Sequence, residues 1–134
     1  MHKRIALLRV AYWLGAVLDG LTIVPLLSHR AGAKMFGMAH FTPGPDYDDA
    51  ITLAAALVLG WTALLLWADH KPVDRRGVLP LTVLVIVGLA LAGARAVASG
   101  LLSFEHMLPT WIWQALLSAL FLFAYRRSRI PLSG

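Results

Sequence analysis

The chain contains no cysteine and few charged residues, and both features restrict what it can be. Without cysteine, disulfides, thiolate metal sites, iron–sulfur clusters and thiol redox chemistry are excluded. Charged residues make up only 14% of the 134 residues, whereas hydrophobic residues make up 59%. A soluble domain of this size could not bury so much apolar surface, because its surface-to-volume ratio limits burial. The composition therefore predicts a protein that lies in a lipid bilayer.

Recognisable catalytic and cofactor motifs are also missing from the sequence. It has no nucleophile elbow, phosphate-binding loop or zinc-protease helix motif. The histidines lack metal-ligand spacing, and Asp46, Asp48 and Asp49 suit the positive N-terminal end of a helix better than a metal ion. The sequence thus favours a non-enzymatic protein, with no catalytic residue, metal site or cofactor assigned.

Long apolar runs predict four transmembrane helices, each close to the ~20 residues that cross ~30 Å of hydrocarbon. We expect a single domain over residues 1–134, with helices at about 6–27, 50–68, 78–102 and 107–125 and an external loop at 28–49. Part of that loop, residues 33–41, mixes apolar and basic side chains and is expected to lie in the membrane interface. Short connections place neighbouring helices antiparallel. The predicted fold is an all-α, up-down-up-down four-helix transmembrane bundle.

The basic residues indicate how the bundle is oriented. Arg30 and Lys34 are the only ones in the first loop, whereas nine fall at the opposite helix ends. The nine are Lys3, Arg4, Arg9, Lys71, Arg75, Arg76, Arg126, Arg127 and Arg129. Because cytoplasmic segments carry an excess of Lys and Arg, both termini are predicted to be cytoplasmic, in the plasma or inner membrane. The net charge of +5 therefore reflects topology, and nucleic acid is not an expected partner.

Three polar side chains fall at a similar depth within the predicted helices. Asp19 lies roughly 12 Å, and Arg95 and Gln114 roughly 10 Å, from the predicted outer ends of their helices at 1.5 Å per residue. Spacing of i, i+3/i+4 places each of them on a polar or small-residue face, and these faces are expected to point at one another. The faces are Tyr12, Gly15, Asp19 and Thr22 on the first helix, Gly88, Ala92, Arg95 and Ser99 on the third, and Thr110, Gln114 and Ser118 on the fourth. An unpaired intramembrane charge costs roughly 2.5–3.5 kcal/mol. We therefore expect an Asp19–Arg95 ion pair with Gln114 nearby.

Two functions are compatible with such a cluster. In the first, the protein is an accessory or oligomeric membrane module, and the Asp19–Arg95 pair fixes helix packing. In the second, Asp19, Arg95, Gln114, Tyr12 and Thr22 line an outward-facing polar cavity that binds or transports a small molecule, with proton coupling through Asp19. The lipid bilayer is the expected partner in both, and a homo-oligomer or a larger membrane complex is the candidate assembly.

Two segments resemble those of a known group of membrane proteins. RVAYWLGAVLDGLTIVPLL at residues 9–27 and GWTALLLWAD at residues 60–69 are similar to small bacterial four-helix proteins of the DoxX-like group. The resemblance implies a first helix ending near a proline, a long first loop and three further helices. It also implies association with redox-linked membrane complexes, and it provides no catalytic motif.

The distribution of basic residues predicts where probes would be located. Reporter tags at both termini and a labelled cysteine within residues 70–77 should report the cytoplasm, whereas a label at Thr42 should report the exterior. Accessibility to a membrane-impermeant thiol reagent in intact cells measures this. An exterior signal from either terminus would contradict the predicted orientation.

Overall fold

A computed structural model describes residues 2–35, 42 and 44–129, which form five α-helices. The helices are α1 (His2–Leu27), α2 (His29–Met35), α3 (Pro45–Asp69), α4 (Val78–Ala98) and α5 (Phe104–Arg129). Four of them, α1, α3, α4 and α5, are long and apolar enough to cross a membrane. The prediction of an all-helical protein with four apolar spans is therefore confirmed. Within the predicted interfacial segment at 33–41, residues 36–41 lie outside the described part of the chain.

Three of the long helices begin earlier than predicted, and α1 does so by four residues, at His2. α3 begins at Pro45, so that Asp46 and Asp48 occupy its first turn. Proline suits this first position because its missing N–H would have no helical partner there, and acidic residues interact favourably with the helix dipole. α5 begins at Phe104, which places Pro109 inside the helix instead of in its first turn.

The end of α4 lies four residues before the predicted Leu102. The helix stops at Ala98, Ser99 is the cap residue, and Gly100 adopts a positive φ of 76°. Glycine without a Cβ enters this left-handed region readily and commonly ends helices there. Arg95 therefore lies in the last turn of α4, about 4.5 Å from its end at 1.5 Å per residue.

The helices of the bundle do not all pack equally closely. α1 packs mainly against α3 and α5, and α4 packs mainly against α5. α3 and α4 are joined by residues 70–77 and by a hydrogen bond that Trp61 Nε1 donates to Thr82 Oγ1 at 3.2 Å. Thr82 is buried and donates its own hydrogen to the Val78 carbonyl at 2.8 Å.

A carboxylate joins α1 and α3 at one end of the bundle, here called the Asp69 end. Asp69 Oδ1 accepts a hydrogen bond from Arg9 Nε at 3.1 Å, and Oδ2 accepts from Arg9 Nη2 at 3.2 Å. Trp13 Nε1 donates to Oδ2 at 3.1 Å. This bidentate guanidinium–carboxylate geometry, with a third donor from the next turn of α1, aligns the two helices.

Further polar contacts bring α4 and α5 to the same end. Tyr12 Oη donates to the Arg75 carbonyl at 2.9 Å, and Arg76 Nη1 donates to the Ser128 carbonyl at 2.8 Å. The Arg75 guanidinium stacks on the Trp67 ring and donates to the Trp67 carbonyl. The α3–α4 connection is therefore fastened to α1, α3 and α5 together.

The tightest apolar packing lies in the half of the bundle next to these contacts. Its buried members are Leu8, Ala11, Tyr12, Ala16, Leu65, Ala68, Leu79, Phe121 and Ala124. Gly15 permits a close approach within it, because a Cβ there would lie 2.9 Å from Phe121 Cζ and 3.3 Å from Leu65 Cδ1. In the other half the buried residues include Gly32, Ala55, Gly93 and Met107.

Asp69→Asn should destabilise the protein by about 1.5–3 kcal/mol, because the charge-assisted bonds to Arg9 are lost. Asp74→Asn on the exposed α3–α4 connection makes the same change in net charge and should alter the stability little. Thermal unfolding in detergent compares the two variants. Equal losses from both would show that Asp69 has no specific structural role.

Candidate functional site

The half of the bundle away from the Asp69 end contains a cavity of about 380 Å³ between α1, α4 and α5. Leu65, Thr82 and Phe121, all buried, form its floor where the tight packing begins. Leu21, Leu89 and Trp113 also line it and are more than half exposed, at 60%, 56% and 55%. The cavity therefore begins at the packed half and opens at the surface of the bundle.

Polar side chains from three helices line this cavity. α1 contributes Asp19 and Thr22, α4 contributes Thr82, and α5 contributes Thr110 and Gln114. Asp19, Thr22 and Gln114, three of the five candidate residues, thus line one cavity, and Thr110 lies one turn before Gln114 on α5. Sequence spacing found these four because each lies one or two turns from the next on its own helix.

Asp19 has an α3 hydroxyl as its side-chain partner. Thr62 Oγ1 donates to Asp19 Oδ2 at 3.0 Å, and the same oxygen lies 2.9 Å from the Val58 carbonyl. A hydroxyl has one hydrogen to donate, so Thr62 divides it between two acceptors. Asp19 therefore keeps most of its capacity to accept hydrogen bonds.

Gln114 has a buried oxygen with no hydrogen-bond partner among the described residues. Burying such an acceptor without a donor costs about 1–3 kcal/mol, so a packing role alone does not explain it. Pro25 has no N–H to donate to the Leu21 carbonyl four residues earlier, and both residues line the cavity. Gln114 also lines the cavity, and its oxygen is an acceptor that needs a donor.

The structure does not contain the expected Asp19–Arg95 ion pair. Asp19 bonds to Thr62, whereas Arg95 is exposed and lines a separate surface depression with Ser99 and Leu101. Two physical reasons explain the difference. α1 and α4 are not among the helix pairs that pack most closely, and α4 ends early enough for the long, exposed Arg95 side chain to extend past the end of the helix.

The inward face of α4 also differs from the predicted one. Gly88, Ala92, Arg95 and Ser99 were expected to face the other helices, and all four are exposed. Leu79, Thr82, Ile86 and Gly93 are instead buried or half-buried. Ile86 precedes Gly88 by two residues, which is about 200° around a helix, so the small residues point away from the bundle.

Tyr12, the remaining candidate, lies outside the cavity. Its side chain is fully buried in the packed half, where its hydroxyl donates to the Arg75 carbonyl. Tyr12 shares a helix face with Asp19 through Gly15, but the seven residues between them correspond to roughly 10 Å along α1. Tyr12 is therefore part of the Asp69 end.

The Asp69 contacts are the feature that sequence analysis missed. In the sequence, Arg9 contributes only to the predicted topology, and Asp69 follows the predicted end of the second helix at residue 68. Arg9 and Trp13 are four residues apart and so share a helix face, and that spacing was the available signal for a facing acidic partner.

Two histidines have local hydrogen-bond partners. His106 Nδ1 lies 2.5 Å from Ser103 Oγ, and His70 Nδ1 lies 2.9 Å from the Leu66 carbonyl. No group of three or more metal-ligating side chains occurs within residues 2–35, 42 and 44–129.

Comparisons of the chain with protein-family models, with curated proteins and with solved structures gave no match.

Gln114→Met should stabilise the protein by about 1 kcal/mol, because it replaces an unpartnered buried acceptor with an apolar group of similar size. Leu117→Met, one turn along the same cavity lining, is the matched control and should be neutral or slightly destabilising. Unfolding in detergent measures both. A loss of stability in Gln114→Met would show that the Gln114 amide is satisfied in the folded protein.

Proposed function

We propose that the protein is a small-molecule-binding protein of the plasma or inner membrane, with the α1–α4–α5 cavity as its binding site. The observation that carries the proposal is the buried, unpartnered Gln114 oxygen beside the cavity that Asp19 also lines. Polar groups left unsatisfied within a folded protein are concentrated at functional sites. A volume of about 380 Å³ is at the small end of the range for ligand pockets.

In this proposal the bundle is up-down-up-down with both termini in the cytoplasm. The contacts of Asp69, Arg75 and Arg76 support it, since the start of α1, the end of α3, the start of α4 and the end of α5 meet there. That end also carries most of the basic residues. The cavity then opens towards the exterior half of the bilayer, and transport would require it to open at the Asp69 end as well.

A second candidate is the accessory or oligomeric module. The exposed face of α4 favours it, because a Cβ at Gly88 would meet nothing within 4 Å and Ala92 is exposed one turn later. Small residues four apart allow a second transmembrane helix to approach closely. Participation in a redox-linked complex, as the resemblance to DoxX-like proteins implies, belongs to this candidate.

Binding of a neutral probe tests the first proposal. The purified protein in uncharged detergent should bind 4-phenylbutanol saturably, because the probe combines an apolar body with one hydrogen-bonding group. Thr22→Phe should weaken that binding about tenfold or more by filling the mouth of the cavity. Isothermal titration calorimetry, with titration of empty micelles subtracted, measures it.

Thr52→Phe is the matched control for this experiment. Thr52 is exposed on α3, outside the cavity, and its hydroxyl donates to a carbonyl of the preceding turn, as that of Thr22 does. It should leave binding unchanged. If 4-phenylbutanol associates without saturation, and equally with native protein and Thr22→Phe, the accessory-module candidate is favoured.

A further inference from the structure

The charge of the cavity restricts which molecules it can hold. Asp19 is the only ionisable side chain among the described residues that line it. Arg9, the nearest basic residue along α1, is already bound to Asp69, and Arg95 lies in a different depression. The lining therefore contains a carboxylate with no basic side chain beside it.

The hydrogen-bonding groups of the lining likewise favour a ligand that donates hydrogen bonds. Asp19 shares its Thr62 donor with the Val58 carbonyl, and the Gln114 oxygen has no donor among the residues that the structure describes. The Leu21 carbonyl lacks its usual helical donor because Pro25 has no N–H. A ligand that donates hydrogen bonds would satisfy all three kinds of acceptor. A ligand with only acceptors would leave them buried and unpaired, which is costly.

The remaining lining favours an apolar body with a positive charge. Leu18, Ile86 and Leu117 form aliphatic walls, and the rings of Trp113 and Phe121 lie on the same cavity. Aromatic faces attract cations, most strongly where water is excluded. An ion with an apolar body would also reach this cavity readily from a lipid phase.

We propose that the cavity binds a lipophilic organic cation of the arylalkylammonium class. Its ammonium group donates to the Asp19 carboxylate and the Gln114 oxygen, and its apolar body lies along Leu117 and Phe121. This inference rests on the proposed binding function and specifies the chemistry of the ligand.

A series of three ligands with one body tests the proposal. 4-Phenylbutylammonium, 4-phenylbutanol and 4-phenylbutyrate share the phenylbutyl or a closely similar chain and differ in charge. We expect the native protein in uncharged detergent to bind the cation about tenfold more tightly than the alcohol, and the anion most weakly. Calorimetry with subtraction of empty micelles reports all three affinities.

Substitution of Asp19 tests whether the preference for the cation arises in the cavity. Asp19→Asn should reduce the affinity for the cation about tenfold and change that for the alcohol little, since the amide oxygen still accepts from Thr62. Asp74→Asn makes the same change in net charge on the exposed connection and should leave the order of affinities intact. A thermal melt checks that each variant is folded.

Each outcome either supports or overturns the inference. Equal affinities for cation and alcohol in the native protein would overturn the cation preference and leave the binding function standing. Equal losses in Asp19→Asn and Asp74→Asn would assign the preference to overall charge and also overturn it. Saturable binding of none of the three would overturn the binding function itself. The comparison of the three ligand affinities in native protein requires no variant, so it tests the cation preference even if Asp19→Asn does not fold.

Discussion

The Asp69 carboxylate holds together the end of the bundle on which the remaining structure depends. It receives two hydrogen bonds from Arg9 and one from Trp13, so it joins the beginning of α1 to the end of α3. Its side chain is only 10% exposed, whereas that of Arg9 is 59% exposed. The ion pair thus lies where the guanidinium can reach polar surroundings while the acid is shielded, which avoids the desolvation cost of a fully buried pair.

This fastening at one end makes a cavity at the other end structurally possible. Leu8, Leu65, Leu79 and Phe121 fill the bundle next to the Asp69 contacts. Beyond them the space between α1, α4 and α5 is left unfilled, because α1 and α4 are not among the closely packed pairs and Gly88 and Ala92 of α4 are exposed. Side chains that would otherwise complete a core become the walls of the cavity, and the bundle relies on its packed half for stability.

Hydropathy predicted the four spans because a bilayer imposes a length and a composition that the sequence must meet. The polar positions Asp19, Thr22, Thr110 and Gln114 were also found, since they follow helical spacing within single elements. Contacts between elements were not predictable in the same way. Packing decides which helices lie opposite one another. The Asp19–Arg95 pair was inferred from similar depth, from spacing within each helix and from the cost of an unpaired charge, none of which identifies the neighbouring helix. The early end of α4 depends on the left-handed conformation of Gly100, which a continuous apolar run conceals.

Asp19 shows how a membrane protein can keep one charge without a countercharge. An isolated carboxylate in a membrane helix costs roughly 2.5–3.5 kcal/mol on insertion scales. Thr62 offsets part of this cost, but its hydrogen is shared with the Val58 carbonyl. If the same position had been selected for packing alone, an apolar residue would be more stable there, as at Leu18 beside it. Under the proposed binding function, a ligand that binds only the folded bundle offsets this cost, because it stabilises the folded state increasingly as its concentration exceeds the Kd. A donor-bearing cation would satisfy Asp19 and Gln114 together, whereas a basic side chain fixed at this depth would satisfy Asp19 permanently and block the cavity.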